Sequence, residues 1–182
     1  MFKKRIFIGS FIKLSNTKFY TRIKKDFGGI TTGRWVPVQN FHITYRFIGD
    51  VTSKELEDIY SLLKNEINYP RTVSLNLKGV GAFPNISNPR VFFIKVEDSN
   101  GDLVEINNFI QDRLSVLGYK KEIKPFVPHI TLKRLKGVKR EDFVEKVKKY
   151  EDILFDTQES LEVNIIESIL TPQGAVYKKI LL

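Results

Sequence analysis

Two histidines are all that this chain of 182 residues contains, and each heads the same tripeptide. His42-Ile43-Thr44 lies in the apolar run Phe41 to Phe47, and His129-Ile130-Thr131 lies in the run Phe126 to Arg134. Both runs mix β-branched and aromatic residues, as strands do. Successive side chains on a strand point to opposite faces, so His and Thr two apart share one face. Phe41, Ile43 and Tyr45 then take the other face in the first copy, and Ile130 and Leu132 in the second. Two such strands side by side bring His42, Thr44, His129 and Thr131 around one polar cleft.

Imidazole titrates near pH ~6.5, so one copy can stay neutral while its partner is protonated. That is the division of labour of general acid–base displacement, in which one group takes a proton from the nucleophile and the other protonates the leaving oxygen. The two hydroxyls suit hydrogen-bond donation to non-bridging phosphoryl oxygens, where charge grows in the transition state. Such a site requires no metal and no cofactor. A tetrahedral zinc would be at least two ligands short with two histidines and no cysteine. Nor is any acidic residue close to His129 in the chain; Asp50 is the nearest to His42. Alternation also sets Arg46 beside His42 and Thr44. Past the second threonine it sets Lys133 on the His129 face and Arg134 on the other, unless the strand bulges after Thr131. The repeat alone leaves open which histidine is the base.

The elements that must carry these strands follow from periodicity and turn residues. Arg5 to Ile12 reads as a first strand, and a helix from about Thr17 turns Phe19, Tyr20, Ile23 and Phe27 inward before Gly28-Gly29. Gly33 to Asn40 reads as a connector carrying the one Trp. After the first motif strand, Thr52 with Glu55 makes a capping box, and Leu56, Ile59, Leu63 and Ile67 make a helical stripe. Val73 to Phe83 and Val91 to Val96 read as a strand pair. Asp102 to Leu117 is a helix, and after the second motif strand (Val127 to Leu132) a basic helix runs from about Lys139 to Tyr150. A hairpin, Leu161 to Leu170 with Val176 to Leu181, closes the chain. The outline predicts an α+β chain of two similar halves, with antiparallel sheets and helices outside.

Composition bounds the class. The chain is 42% hydrophobic and 28% charged, ordinary for a soluble globular protein. Lys plus Arg number 30 against 21 Asp plus Glu, a net +9. That surplus favours a polyanionic partner, although a lysine-rich surface kept for solubility has the same sums. Zero cysteines exclude disulfides, thiol catalysis and thiolate metal sites, and are consistent with the cytoplasm. The opening apolar run is short, is broken by Gly9 and Ser10, and reads as a buried strand rather than a signal peptide. No run approaches the ~18 apolar residues of a membrane span.

The chain also resembles the two-histidine phosphoesterase superfamily, in particular its RNA 2′,3′-cyclic phosphodiesterase branch, once described as 2′–5′ RNA ligases. The likeness rests on Arg5 to Gly9, Trp35-Val36, both His-x-Thr runs, Gly81-Ala82-Phe83, Pro89 to Phe93, Gly118-Tyr119, and Ile166 to Leu170 with Tyr177. The first copy departs only in having Tyr45 where Leu is usual. The resemblance implies a single bilobal domain over residues 1–182, with two pseudo-symmetric lobes of antiparallel sheet, outer helices and the cleft between. It implies hydrolysis of a 2′,3′-cyclic phosphate to a 2′-phosphomonoester, with His42 as proton donor to the ribose oxygen and His129 as base on water. Arg134, with Thr44 and Thr131, would bind the substrate. The expected partner is RNA or a nucleotide with a cyclic phosphate end, with no membrane, and a monomer is expected. Two other functions fit the same fold: a non-catalytic nucleotide- or RNA-binding module, and joining of 2′–5′ RNA ends.

Overall fold

Hydrophobic alternation in the strands and apolar stripes on the helices are resolved into two antiparallel sheets, as described by a computed structural model covering residues 2–182. The first sheet has the order β3-β1-β8-β9, built from β1 (Lys4–Phe11), β3 (His42–Val51), β8 (Asn164–Thr171) and β9 (Gly174–Lys179). The second has the order β2-β6-β5-β4-β7, built from β2 (Thr31–Trp35), β4 (Pro70–Phe83), β5 (Val91–Glu97), β6 (His129–Val138) and β7 (Leu154–Glu162). Four helices complete the fold: α1 (Lys18–Gly28), α2 (Ser53–Leu63), α3 (Asp102–Ser115) and α4 (Arg140–Lys149). A turn of 3-10 helix, Val38–Asn40, leads into β3. The α+β class and the antiparallel sheets thus agree with expectation.

The helices form where their stripes predict. Tyr20, Ile23 and Phe27 of α1 are buried, as are Leu56, Ile59 and Leu63 of α2 and Leu103, Ile106, Ile110 and Leu114 of α3. The capping box is present in full: the Glu55 amide donates to the Thr52 hydroxyl oxygen at 3.3 Å, and the Thr52 amide donates to the Glu55 carboxylate at 2.7 Å. That arrangement satisfies two of the orphan donors at the start of α2.

Three expectations need correction. Thr31–Trp35 is a strand, β2, on the edge of the second sheet, where a connector over Gly33 to Asn40 was expected. Its pairing with β6 depends on Gly33 at φ +133°, where a Cβ would stand 2.2 Å from the Arg134 carbonyl oxygen. The expected strand from Leu161 to Leu170 is two strands broken at Val163, with β7 paired to β4 in one sheet and β8 paired to β1 in the other. Finally, the halves of the chain are not the lobes. α1 packs with β2 and α4 against the second sheet, whereas α2 and α3 pack on β3 of the first. The chain therefore shuttles between the lobes, and one hydrophobic cluster spans residues of both sheets, from Ile8 and Ile43 to Phe92 and Ile130.

Lys133 is the chief polar exception in that core. It is 2% exposed, and its ammonium donates to the Thr31 hydroxyl oxygen at 2.9 Å and sits 4.3 Å from the centroid of the Trp35 ring. Burial lowers its pKa. Losing the partner of a buried charge costs more than replacing that charge with an apolar group of similar size. In urea unfolding, Thr31→Val is expected to cost about 1–3 kcal/mol, while Lys133→Met stays within about 1 kcal/mol of the parent. A larger loss in Lys133→Met than in Thr31→Val would contradict this ordering.

Candidate active site

Each motif strand carries an extra residue directly after its threonine, and that residue decides which side chains share a face with the histidine. On β3, Gly9 pairs with Thr44 but Ile8 pairs with Arg46, so Tyr45 is a bulge. On β6, Phe93 pairs with Thr131 but Phe92 pairs with Lys133, so Leu132 is a bulge at the equivalent position. Directly opposed residues of an antiparallel pair share a face. His42, Thr44 and Phe47 therefore lie with Phe11, Gly9 and Phe7, and His129, Thr131 and Arg134 lie with Lys95, Phe93 and Val91. Tyr45 and Arg46, like Leu132 and Lys133, point the other way, toward the helices and the core.

The bulges resolve the ambiguity left by strict alternation. Arg134 returns to the side of His129, and Lys133 goes to the core beside Trp35. Arg46 is not on the cleft face with His42 and Thr44, contrary to expectation. Its guanidinium donates to the Gln111 side-chain oxygen of α3 and, at 2.7 Å, to the Lys120 carbonyl, and it lies 3.9 Å from Glu122. It thus fastens the connection that runs from α3 to His129. Tyr45, with its hydroxyl 2.8 Å from that of Ser10, is buried where a Leu would need no partner.

The two histidines are held alike. The Nδ1 of His42 is 2.6 Å from the Asn40 carbonyl oxygen, and the Nδ1 of His129 is 2.7 Å from the Val127 carbonyl oxygen. A carbonyl can only accept, so each Nδ1 carries a hydrogen and each Nε2 is left as the ring atom able to take up or release a proton. Each ring also rests on a phenylalanine and meets a second aromatic edge-on. His42 lies 4.9 Å from Phe7 and 4.9 Å from Tyr177, and His129 lies 5.1 Å from Phe93 and 4.7 Å from Phe83. None of these four walls, three phenylalanines and one tyrosine, stands out in the sequence as a site residue, because an aromatic residue on a strand signals core first. The two carbonyls leave no residue-type signal at all.

Electrostatics ties the groups together. Burial lowers the pKa of His42 and of His129, each partly offset by its carbonyl hydrogen bond. The positive charge of Arg134 lowers both further, and a charge on His129 lowers His42. Burial raises the Tyr177 phenol, and Arg134 opposes that rise. One guanidinium thus acts on groups of both sheets. The turn before Tyr177 is tied to the second sheet by Arg34 of β2, which donates to the Pro172 carbonyl at 3.2 Å, and to the lead-in of β3 by Asn40, which donates to the Ala175 carbonyl at 2.8 Å. Thr44 and Thr131 are half-buried, and no protein hydrogen bond engages either hydroxyl among the described residues. Among the described residues, too, no three His, Asp or Glu side chains converge, and no helix is long and apolar enough to cross a membrane.

Known proteins resemble this chain along most of its length. The family model for LigT-like phosphoesterases matches twice in tandem, over residues 17–93 and 94–177, so that each match holds one His-x-Thr strand. An RNA 2′,3′-cyclic phosphodiesterase of Aquifex aeolicus is 31% identical over 174 residues, covering 95% of this chain and 93% of that protein. One from Archaeoglobus fulgidus is 33% identical, covering 96% of each. The crystal structure of a Thermus thermophilus protein superposes with a TM-score of 0.74 at 25% identity, covering 97% of this chain and 94% of that one.

The lowered imidazoles bear on stability. With folded values below the unfolded one of ~6.5, the unfolded chain takes up protons that the folded chain declines. Stability is therefore lost as pH falls from about 7.5 through that value. Thermal melts at about pH 7.5 and about pH 5.5, on either side of the imidazole range, are expected to differ less for the His42→Asn/His129→Asn variant than for the parent. Equal differences would mean that the imidazoles titrate as if in water.

Proposed function

Because the chain belongs to the LigT-like phosphoesterase family, we propose that it hydrolyses RNA 2′,3′-cyclic phosphate ends to 2′-phosphomonoesters. The observation that carries this reading is the pair of imidazoles with their Nδ1 groups committed to backbone carbonyls and their Nε2 atoms free for proton transfer. The names of the relatives supply the cyclic phosphate, and the net charge of +9 suits RNA, whose phosphates release counterions when neutralised.

The chemistry runs as one displacement. His129 Nε2 takes a proton from water as its oxygen bonds to phosphorus. The P–O3′ bond breaks, and His42 Nε2–H protonates the departing O3′. The product is a 2′-phosphate with a free 3′-hydroxyl. His129 is left protonated and His42 neutral, and exchange with solvent resets both. Thr44 and Thr131 donate to the non-bridging oxygens, and Arg134 offers its planar guanidinium to the same phosphoryl group. A dianionic transition state placed between groups whose charged forms are disfavoured by burial restores the proton that His42 must hold.

Alanine at His42 or His129 is expected to lower kcat/KM on a cyclic-phosphate oligonucleotide by about 10²–10⁴-fold. Near-normal turnover in either variant would defeat the two-histidine mechanism. The pH profile of kcat/KM should be a bell with an acid limb from protonation of the base and an alkaline limb from deprotonation of the acid. Both groups are shifted down, so its maximum should fall below about pH 6.5, and EDTA should leave the rate unchanged.

A further inference from the structure

The connection from α3 to β6 delivers His129 with little structure of its own. Residues 119–128 form no helix or strand, and from Lys120 to Pro128 no loop or turn hydrogen bond joins backbone to backbone among the described residues. Yet its far end has a defined task, since the Val127 carbonyl accepts from His129 Nδ1 at 2.7 Å and so fixes the tautomer. What holds the connection is a polar node on the buried face of α3. Gln111, 7% exposed, accepts on Oε1 from Arg46 Nη1 and, at a longer 3.4 Å, from the Glu122 amide. The other amino group of Arg46 donates to the Lys120 carbonyl at 2.7 Å. Farther along, the Phe126 ring lies 6.0 Å from that of Tyr45.

Two features single out this node. The Arg46 side chain is only 12% exposed, so its bonds are weakly screened, whereas the Lys121–Asp112 pair on the same connection is open to water at both ends. A planar guanidinium that reaches two acceptors also fixes the path of the chain between them, as an ammonium at one point does not. His42 needs no such device. Its lead-in is bonded to β6, with the Val36 amide donating to the Leu132 carbonyl at 2.7 Å, and the Tyr20 hydroxyl donates to the Val36 carbonyl at 2.6 Å. We propose that Arg46 and Gln111 are positioning residues for His129. By fixing residues 120–122 they hold the Val127 carbonyl on Nδ1 and keep Nε2 as the atom turned to the cleft. The two imidazoles look alike from the cleft and are anchored unequally behind it. The hold on the tautomer is independent of the reaction; its effect on turnover rests on the phosphodiesterase reading.

Imidazole nitrogen-15 spectra test this directly, because the chain has two histidines and His42→Asn assigns their signals. At about pH 7.5, above the imidazole range, both rings of the parent should show a protonated Nδ1 and a bare Nε2. Arg46→Met and Gln111→Leu should each move the His129 signals toward the averaged positions of mixed tautomers and leave those of His42 in place. Arg46→Lys, which reaches one acceptor, should fall between, and Lys121→Met should move neither ring. On a cyclic-phosphate oligonucleotide, Arg46→Met and Gln111→Leu should lower kcat by roughly tenfold, short of the hundredfold that a misplacement of about 1 Å costs, with KM nearly unchanged. His129 signals that stay put in both variants overturn the proposal. So do signals of both histidines that move together, which would mean a loosened fold, and so does a shifted tautomer with an unchanged kcat. If the tautomer shifts as expected while the parent fails to turn over the oligonucleotide, the positioning role holds and the hydrolase reading fails.

Discussion

A β-strand that lines a cleft on one face and a core on the other is bound by its period of two, and β3 and β6 both escape that period through a bulge beside the site. The escape comes directly after Thr44 in one strand and Thr131 in the other. Up to that point, His and Thr face the cleft and their neighbours face the core, as alternation requires. Beyond it, two consecutive side chains go inward. Tyr45 and Leu132 fill the core; Arg46 and Lys133 follow them and find polar partners there. The next residue is thereby released to the cleft, and it is Phe47 in one lobe and Arg134 in the other. Without those bulges the cleft would hold Arg46 and Lys133, and the lysine would have no Trp35 or Thr31 to meet.

The same geometry explains the electrostatic character of the site. Each imidazole is seated on a phenylalanine and lowered by burial, which favours the neutral rings. Arg134 supplies the fixed positive charge. In the reaction proposed above, an incoming phosphoryl group would meet a guanidinium and two hydroxyls, and its negative charge would favour the imidazolium that protonates the leaving oxygen. The backbone carbonyls of Asn40 and Val127 keep both rings in one tautomer throughout.

Much of this was legible in the sequence. The echoed His-Ile-Thr marks both strands because no other histidine competes with it, and the helices declare themselves by stripe and cap, as at Thr52 and Glu55. What was illegible has physical causes. Thr31-Thr32-Gly33-Arg34-Trp35 is an edge strand with a glycine at its middle, so its residues are mostly exposed and carry no alternation. The end of β7, Leu161-Glu162, reads together with β8 as one segment because the chain changes sheets at Val163 without a proline or glycine to mark the break, and the mostly polar stretch before it gives no strand signal. The bulges have no residue signature either; Tyr45 and Leu132 are ordinary strand formers, and only the register across β1 and β5 reveals them. Arg46 was misplaced for that reason, and the aromatic walls of the site were hidden among core phenylalanines.

The passage of the chain to and fro between the lobes bears on how a ligand gets in. A hinge needs few connecting segments, since each must absorb the rotation. Here α1 and β2 leave the first sheet and return as β3, α3 makes the reverse excursion, and the last hairpin crosses back to flank β1. Closing the lobes like a clam would strain all of these crossings at once and shear the shared core. The crossings thus brace the two sheets against each other, and the groove between them keeps its width through the fold itself.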